Sequence, residues 1–179
     1  MKVLLRIAAM IDALNECIGR IACWFVLIAC LISAGNAMMR YGFNTSSNAW
    51  LEIQWYLFGG IVMLGAAHTL KTNQHVRVDV LYSRYAERTR LWVDLLGGLL
   101  FLLPVVILIG WLSWPMFLNA YVIGETSGNA GGLLRWPVKL LLPLGFLLLA
   151  LQGISEIIKR AAALAGHASL NANYEKPLQ

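Results

Sequence analysis

The chain has 179 residues and a formal net charge of +5, with 59% apolar and only 13% charged side chains. Soluble domains carry about 45–50% apolar and about 25% charged residues, so this chain has too little polar surface for a soluble fold of its size. The basic excess does not mark a nucleic-acid binder either, because its residues sort to alternate sides of four apolar runs.

Residues 3–18 carry a helical amphipathic period. At 100° per residue, Val3, Leu4, Ile7, Met10, Ile11, Leu14, Cys17 and Ile18 fall on one half, and Lys2, Arg6, Asp12, Asn15, Glu16 and Arg20 on the other. This predicts an interfacial helix lying flat on the bilayer, or the docking face for a partner. It does not read as a signal peptide, since the apolar run from Ile21 is too long and the segment before it exceeds a short basic tag. Spans are predicted at about 21–39, 53–70, 95–119 and 137–158, near the length of about 20 residues that a hydrocarbon core of about 30 Å requires. Lys139, near the start of the last, can snorkel to the interface. The three cysteines, Cys17, Cys23 and Cys30, fall in or beside the first span. Cys23 and Cys30 would lie about 10 Å apart along one helix, too far for a disulfide, and they read as small apolar filler.

Small and polar residues near the outer end of the first span, Ser33, Gly35, Asn36 and Ala37, favour close helix approach and interhelical hydrogen bonding. Asn44 to Asn48 read as a turn, and Trp50, Trp55 and Tyr56 as an interfacial aromatic belt. Glu52 has three open readings: a solvated acid near a helix N-terminus, a partner for Arg40 across the hairpin, or a contact with another protein. Between Lys71 and Asp94 a second amphipathic helix is predicted over about 78–92. Val78, Leu81, Tyr82, Tyr85 and Trp92 lie on one side and Asp79, Arg84, Glu87, Arg88 and Arg90 on the other, suited to an anionic membrane surface. Pro104 and Pro115 should bend the third span. Gly124 to Gly132 read as a flexible polar loop or a surface for close approach by a protein. Arg135-Trp136-Pro137 opens the fourth span with proline in its first turn, Gln152 is that span's one strongly polar interior residue, and residues 166–179 form an expected disordered tail.

Eleven of the fourteen Lys and Arg residues fall on the side of the two termini and the middle loop. The positive-inside bias therefore predicts cytoplasmic termini. The sequence contains no nucleophile–base pair, phosphate loop or metal cluster, so neither enzyme nor cofactor is expected. No Asp, Glu, Lys or Arg is expected within the apolar interior of a span, where ion-coupled carriers commonly keep one. That favours a scaffold over a transport pathway. His68 alone among the histidines could lie at membrane depth, which leaves open a membrane anchor of a redox enzyme holding haem. A homo-oligomeric small transporter or channel also stays open.

Asn36, Arg40-Tyr41, Trp50-Leu51-Glu52, Gly65, and His75 with Asp79 resemble the DctQ-type small membrane subunit of tripartite ATP-independent periplasmic (TRAP) transporters. Gly131-Gly132-Leu133-Leu134-Arg135-Trp136-Pro137 and the run from Pro143 to Gln152 are similar to one branch of that family. In one departure, Glu52 is followed by Ile53, where many members have two adjacent acids, so no role that needs both is carried over. The resemblance implies a bacterial inner-membrane complex with a large multi-span transport subunit of DctM type, which moves an organic acid with sodium, and a periplasmic substrate-binding protein that delivers it. The small subunit would anchor the fixed scaffold and help form the docking surface. Arg40, Trp50, Glu52, His75, Asp79, Glu125, Arg135 and Trp136 are the partner-interface candidates, membrane lipids being the remaining contact and nucleic acid none.

Overall fold

The structure of the chain is a computed structural model that describes residues 1–45, 47–74, 82 and 84–167. Its long elements are helices: α1 (Lys2–Phe43), α2 (Asn48–Lys71), α3 (Glu87–Gly97), a π-helical turn over Gly98–Leu102, α4 (Leu103–Val122) and α5 (Trp136–Leu164). Four helical stretches are long and apolar enough to cross a membrane: α1, α2, the continuous run Glu87–Val122, and α5. The fold is thus all-helical, with the expected four candidate spans.

Helix α5 is the centre of the bundle, packing against α1, α2, α3 and α4, while α1 and α2 also pack on each other. α4 leans mainly on α5 and leaves most of its apolar surface exposed. Close packing relies on small residues. The buried positions of α1 are Ala8, Asn15, Gly19, Ala22 and Ala29, a stripe spaced by seven or by four and three residues that returns to one face every two turns. Such a stripe lets backbones approach where apolar bulk would bring no advantage over lipid.

The first helix differs from expectation in its continuity. Residues 3–18 do not form a separate flat helix but run without a break into the first span. At about 1.5 Å per residue, α1 is roughly 60 Å long, twice the hydrocarbon core. Gly19 does not end the helix. It packs tightly against α2, and a Cβ there would sit 2.6 Å from the Cβ of His68. The amphipathic faces are also reversed relative to a soluble docking helix. Asp12 and Asn15 turn toward α5, while Val3, Leu4, Ile7, Met10 and Leu14 are exposed. Polar groups on α1 find polar partners on α5, and the apolar half needs no burial against protein if lipid covers it. Cys17, Cys23 and Cys30 are free and exposed, not the packed filler expected from the habits of free cysteine.

Pro104 accounts for the π-helical turn. It has no N–H and its ring collides with the carbonyl one turn back. Widening the preceding turn relieves that clash, and the Leu103 N–H reaches Gly98 O, five residues away. The predicted helix over 78–92 falls partly on residues 78–81 and 83, outside the described residues; among those described, Tyr82 is helical and α3 begins at Glu87. The expected tail likewise lies outside them from residue 168 onward.

Two glycines make the packing argument testable. A Cβ on Gly145 would lie 2.7 Å from the Met63 Cβ and 2.8 Å from the Met63 carbonyl oxygen, and a backbone atom cannot swing aside. One on Gly65 would meet nothing within 4 Å. Gly145→Ala should therefore lower stability by about 1–3 kcal/mol through overpacking. Gly65→Ala should be neutral or stabilising by up to about 1 kcal/mol from helix propensity. Unfolding midpoints of the two variants in mild detergent check the contrast, and equal midpoints would refute it.

Candidate functional site

Two polar networks hold the bundle, one at each end. At the end opposite the termini, residues 123–135 cross over α2 as a folded strap. Gly124 and Gly131 adopt left-handed φ of 62° and 70°, where glycine carries no steric penalty. Between them the chain turns back on itself: Thr126 and Leu134 form an antiparallel bridge, the Ser127 N–H donates to Leu133 O (2.9 Å), and the Arg135 N–H to Glu125 O (2.8 Å).

Glu52 is the pin of this strap. It is 7% exposed and accepts from the Ser127 hydroxyl, from Asn129 Nδ2 at 2.8 Å and from the Leu133 N–H at 2.8 Å. Tyr56, one turn on, donates to Leu134 O at 3.0 Å, and Asn48 Nδ2 to Ala130 O at 3.3 Å. Three donors converging on one carboxylate satisfy both oxygens and make these charge-assisted bonds. Of the three readings open for Glu52, the solvated acid and the Arg40 pair are both displaced. Ser47 caps α2, accepting from the Ala49 N–H at 3.3 Å, and Arg40 is exposed in the last turn of α1. The expected flexible loop is instead a hydrogen-bonded strap.

Glu125 fastens the strap to α5. Its carboxylate pairs with Lys139 and lies 3.5 Å from Arg135. The hydrogen bond from the Lys139 ammonium is the main influence holding the Glu125 carboxyl below the usual glutamate range, against a smaller opposing effect of burial. A depressed folded-state pKa means that this contact stabilises fully above the ordinary carboxylate pKa and is lost as pH falls through the lower folded value. Strap protection should thus hold steady from pH 7 down to about 5 and decay below about pH 4. Lys139→Met should remove most of the Glu125 contribution at neutral pH, leaving the longer contact with Arg135. Protease sensitivity of the strap against pH reads both outcomes, and decay beginning near pH 6 in the unaltered chain would refute the assignment.

The other candidates are scattered. Trp136 opens α5 and meets Tyr121 edge-on at 5.6 Å, continuing an aromatic row through Phe117 to Trp114. Trp50 is half exposed on α2. His75 and Asp79 lie outside the described residues.

Sequence reasoning missed the network at the termini end. Gln152, fully buried, donates to Asp12 Oδ1 (2.8 Å) and Glu156 Oε1 (3.1 Å) and accepts from Asn15 Nδ2 (2.8 Å). The Ser155 hydroxyl donates to Asp12 Oδ1 at 2.7 Å, and Lys159 reaches Asp12 Oδ2 at 3.0 Å. Arg160 bridges Glu156 and Asp94, with Tyr82 donating to Asp94 Oδ2 at 2.9 Å. Lys71 closes α2 onto Glu16 and the Asp12 carbonyl. The signal was present in the three- and four-residue spacing of Gln152, Ser155, Glu156, Lys159 and Arg160, which places them on one face.

Both networks tie helices together and neither assembles a catalytic constellation. The profile of the family described as tripartite ATP-independent periplasmic transporters, DctQ component, matches residues 29–163. The chain belongs to the DctQ family. That family supplies the DctQ component of tripartite transporters, a transport component rather than an enzyme. The chain is 30% identical over 100 residues to a Haemophilus influenzae protein provisionally named a TRAP transporter small permease protein, covering 55% of this chain and 61% of that one. It is 28% identical over 124 residues to the C4-dicarboxylate TRAP transporter small permease protein DctQ of Vibrio cholerae, covering 68% of this chain and 52% of that one. The chain thus spans about half to three-fifths of the length of the curated relatives it matches. No solved structure matches. The family match begins at residue 29, leaving the inward-turned polar face of α1, Asp12 and Asn15, outside it.

Proposed function

We propose that this DctQ-family chain is the fixed scaffold subunit of a sodium-coupled, binding-protein-dependent importer of an organic acid. It anchors a large multi-span transport subunit in the bacterial inner membrane, with both termini cytoplasmic and the strap facing the periplasm, where it contributes to docking of the substrate-binding protein. The observation that carries this reading is the placement of charge. Both ends of the bundle are locked by polar networks, while among the described residues no Asp, Glu, Lys or Arg lies in the apolar middle, where it could move a proton or an ion. A static body of that kind suits a partner whose transport domain moves against it. The name of the Vibrio cholerae relative, with its C4-dicarboxylate, accords with a carboxylate cargo, read by the partners and not by this chain.

The test is a pull-down of the full chain from its native membrane in mild detergent, with mass spectrometry of what co-purifies, followed by uptake in liposomes. A large multi-span partner, and sodium-driven carboxylate uptake only when that partner and the binding protein are present, is the expected result. A homo-oligomer that transports alone would overturn the scaffold reading.

A further inference from the structure

The amino-terminal half of α1 sorts its side chains into three stripes. Ala8, Asp12, Asn15 and Gly19 turn inward, toward α5 and α2. Val3, Ile7, Met10 and Leu14 are exposed and fall within about 60° of arc at 3.6 residues per turn. Lys2 and Arg6 are also exposed and have no ion-pair partner among the described residues. They lie about 90° round the helix from the apolar stripe. The two acids of residues 1–20 are Asp12 and Glu16. Asp12 pairs with Lys159, and Glu16 with Lys71 and Arg20. The outward half of this helix therefore presents apolar groups and positive charge, with its negative charge already met.

We propose that this outward half lies on an anionic phospholipid surface, with the apolar stripe on its underside and Lys2 and Arg6 against the headgroup phosphates. Charge complementarity names the surface. An apolar stripe edged by unpaired cations matches acyl chains edged by phosphates. Depth supports the same occupant. The ion pairs of Asp12 and Glu16 with Lys159 and Lys71 put charge at one level of the bundle, and charge belongs at the edge of the hydrocarbon core. Val3 lies nine residues before Asp12, roughly 14 Å along the helix. An upright α1 would carry Val3 past a headgroup layer of about 5–8 Å and into water. A leaning α1 keeps it in the interface. At a tilt of about 40°, the steep end of the usual range, a helix of roughly 60 Å covers about 46 Å of depth, close to the about 40–45 Å of a whole bilayer with its headgroups. Leaning turns one side of the helix down onto the lipid, and the apolar stripe is the side that gains from it.

The surface rests on the chain's being a membrane protein and not on its being a scaffold, so its test stands apart from the uptake experiment. A symmetric bilayer also makes that test independent of which side the termini face. Cys17, Cys23 and Cys30, free and exposed, are replaced by alanine in the full chain, with whatever membrane partner it retains. Ile7→Cys, Met10→Cys or Ala9→Cys then carries a single nitroxide label in nanodiscs of equal phosphatidylglycerol and phosphatidylcholine. Labels at positions 7 and 10 should collide with oxygen in preference to a water-soluble nickel chelate. The label at position 9, exposed beside Lys2 and away from the stripe, should show the reverse. Lys2→Gln with Arg6→Gln should lower the ratio of docked to undocked helix about thirty-fold, the arithmetic of two cations at about 1 kcal/mol each. Phosphatidylcholine alone should have the same effect on the unaltered helix. Nickel access along the stripe would leave the helix standing in water, and shielding of the stripe from both reagents would assign it to a protein. Either result would overturn the proposal, as would a ratio unchanged by both the charge variant and the neutral lipid.

Discussion

Glu52→Gln should release the strap and cut uptake by the assembled transporter while leaving the binding protein's affinity for its substrate untouched. The carboxylate accepts from Ser127, Asn129 and the Leu133 N–H. A glutamine has one oxygen and one NH₂, so at least one of these donors would face another donor, and a part-buried donor left without an acceptor is costly. Tyr56 and Asn48 would still hold Leu134 O and Ala130 O. The strap should therefore loosen without unfolding the bundle. Cleavage after Arg135 by trypsin added from the side of the strap should quicken about ten-fold, the usual scale for losing a hydrogen bond to a charged group. Uptake should fall in parallel if the strap shapes the docking surface. Arg40→Gln should leave the cleavage rate alone, because Arg40 is not part of the strap. An unchanged cleavage rate in Glu52→Gln, or an altered Michaelis constant with strap and assembly intact, would contradict this account.

Gln152→Leu should be the most destabilising single change at the opposite end. Gln152 joins α1 to α5 by an acceptor for Asn15 and a donor to Asp12, and all of its side chain is buried. Leucine nearly conserves volume but leaves the Asn15 amide without its closest acceptor, at a cost of about 1–3 kcal/mol. Asp12 retains Ser155 and Lys159, which limits the damage on that side. Asn15→Leu combined with Gln152→Leu should recover part of the loss, because replacing both partners with apolar groups removes the orphaned one. The double-mutant cycle should give a coupling of about 0.5–3 kcal/mol, read from unfolding midpoints in detergent. Strict additivity would mean that the bond between the two amides contributes nothing measurable. The contrast with Ser155→Ala is useful. Asp12 would lose one donor of several, so a smaller effect is expected.

What the sequence by itself determined was class and count. Four runs without charge could be stable only across a bilayer, and glycine, proline and tryptophan marked their ends. Those are properties of each segment against its solvent, lipid or water, and they need no knowledge of neighbours. The family was legible for a similar reason, since its signature residues among those described form short local runs in α1, α2, α5 and the strap before α5. Only the tertiary structure decided what each polar residue is for. Glu52 looked like a helix-end acid, a mate for Arg40 or a contact with another protein, yet its donors come from residues 127–133, far along the chain. Gln152 looked like an isolated polar residue in a span, yet it meets Asp12 and Asn15 across α1. The amphipathic period of residues 3–18 was legible, but which side of it meets α5 was not. In water the apolar half must be buried, whereas in lipid it can stay exposed and the polar half is the one that must find partners. Periodicity names two faces of a helix, but which face turns inward depends on the partner groups and the solvent that meet it.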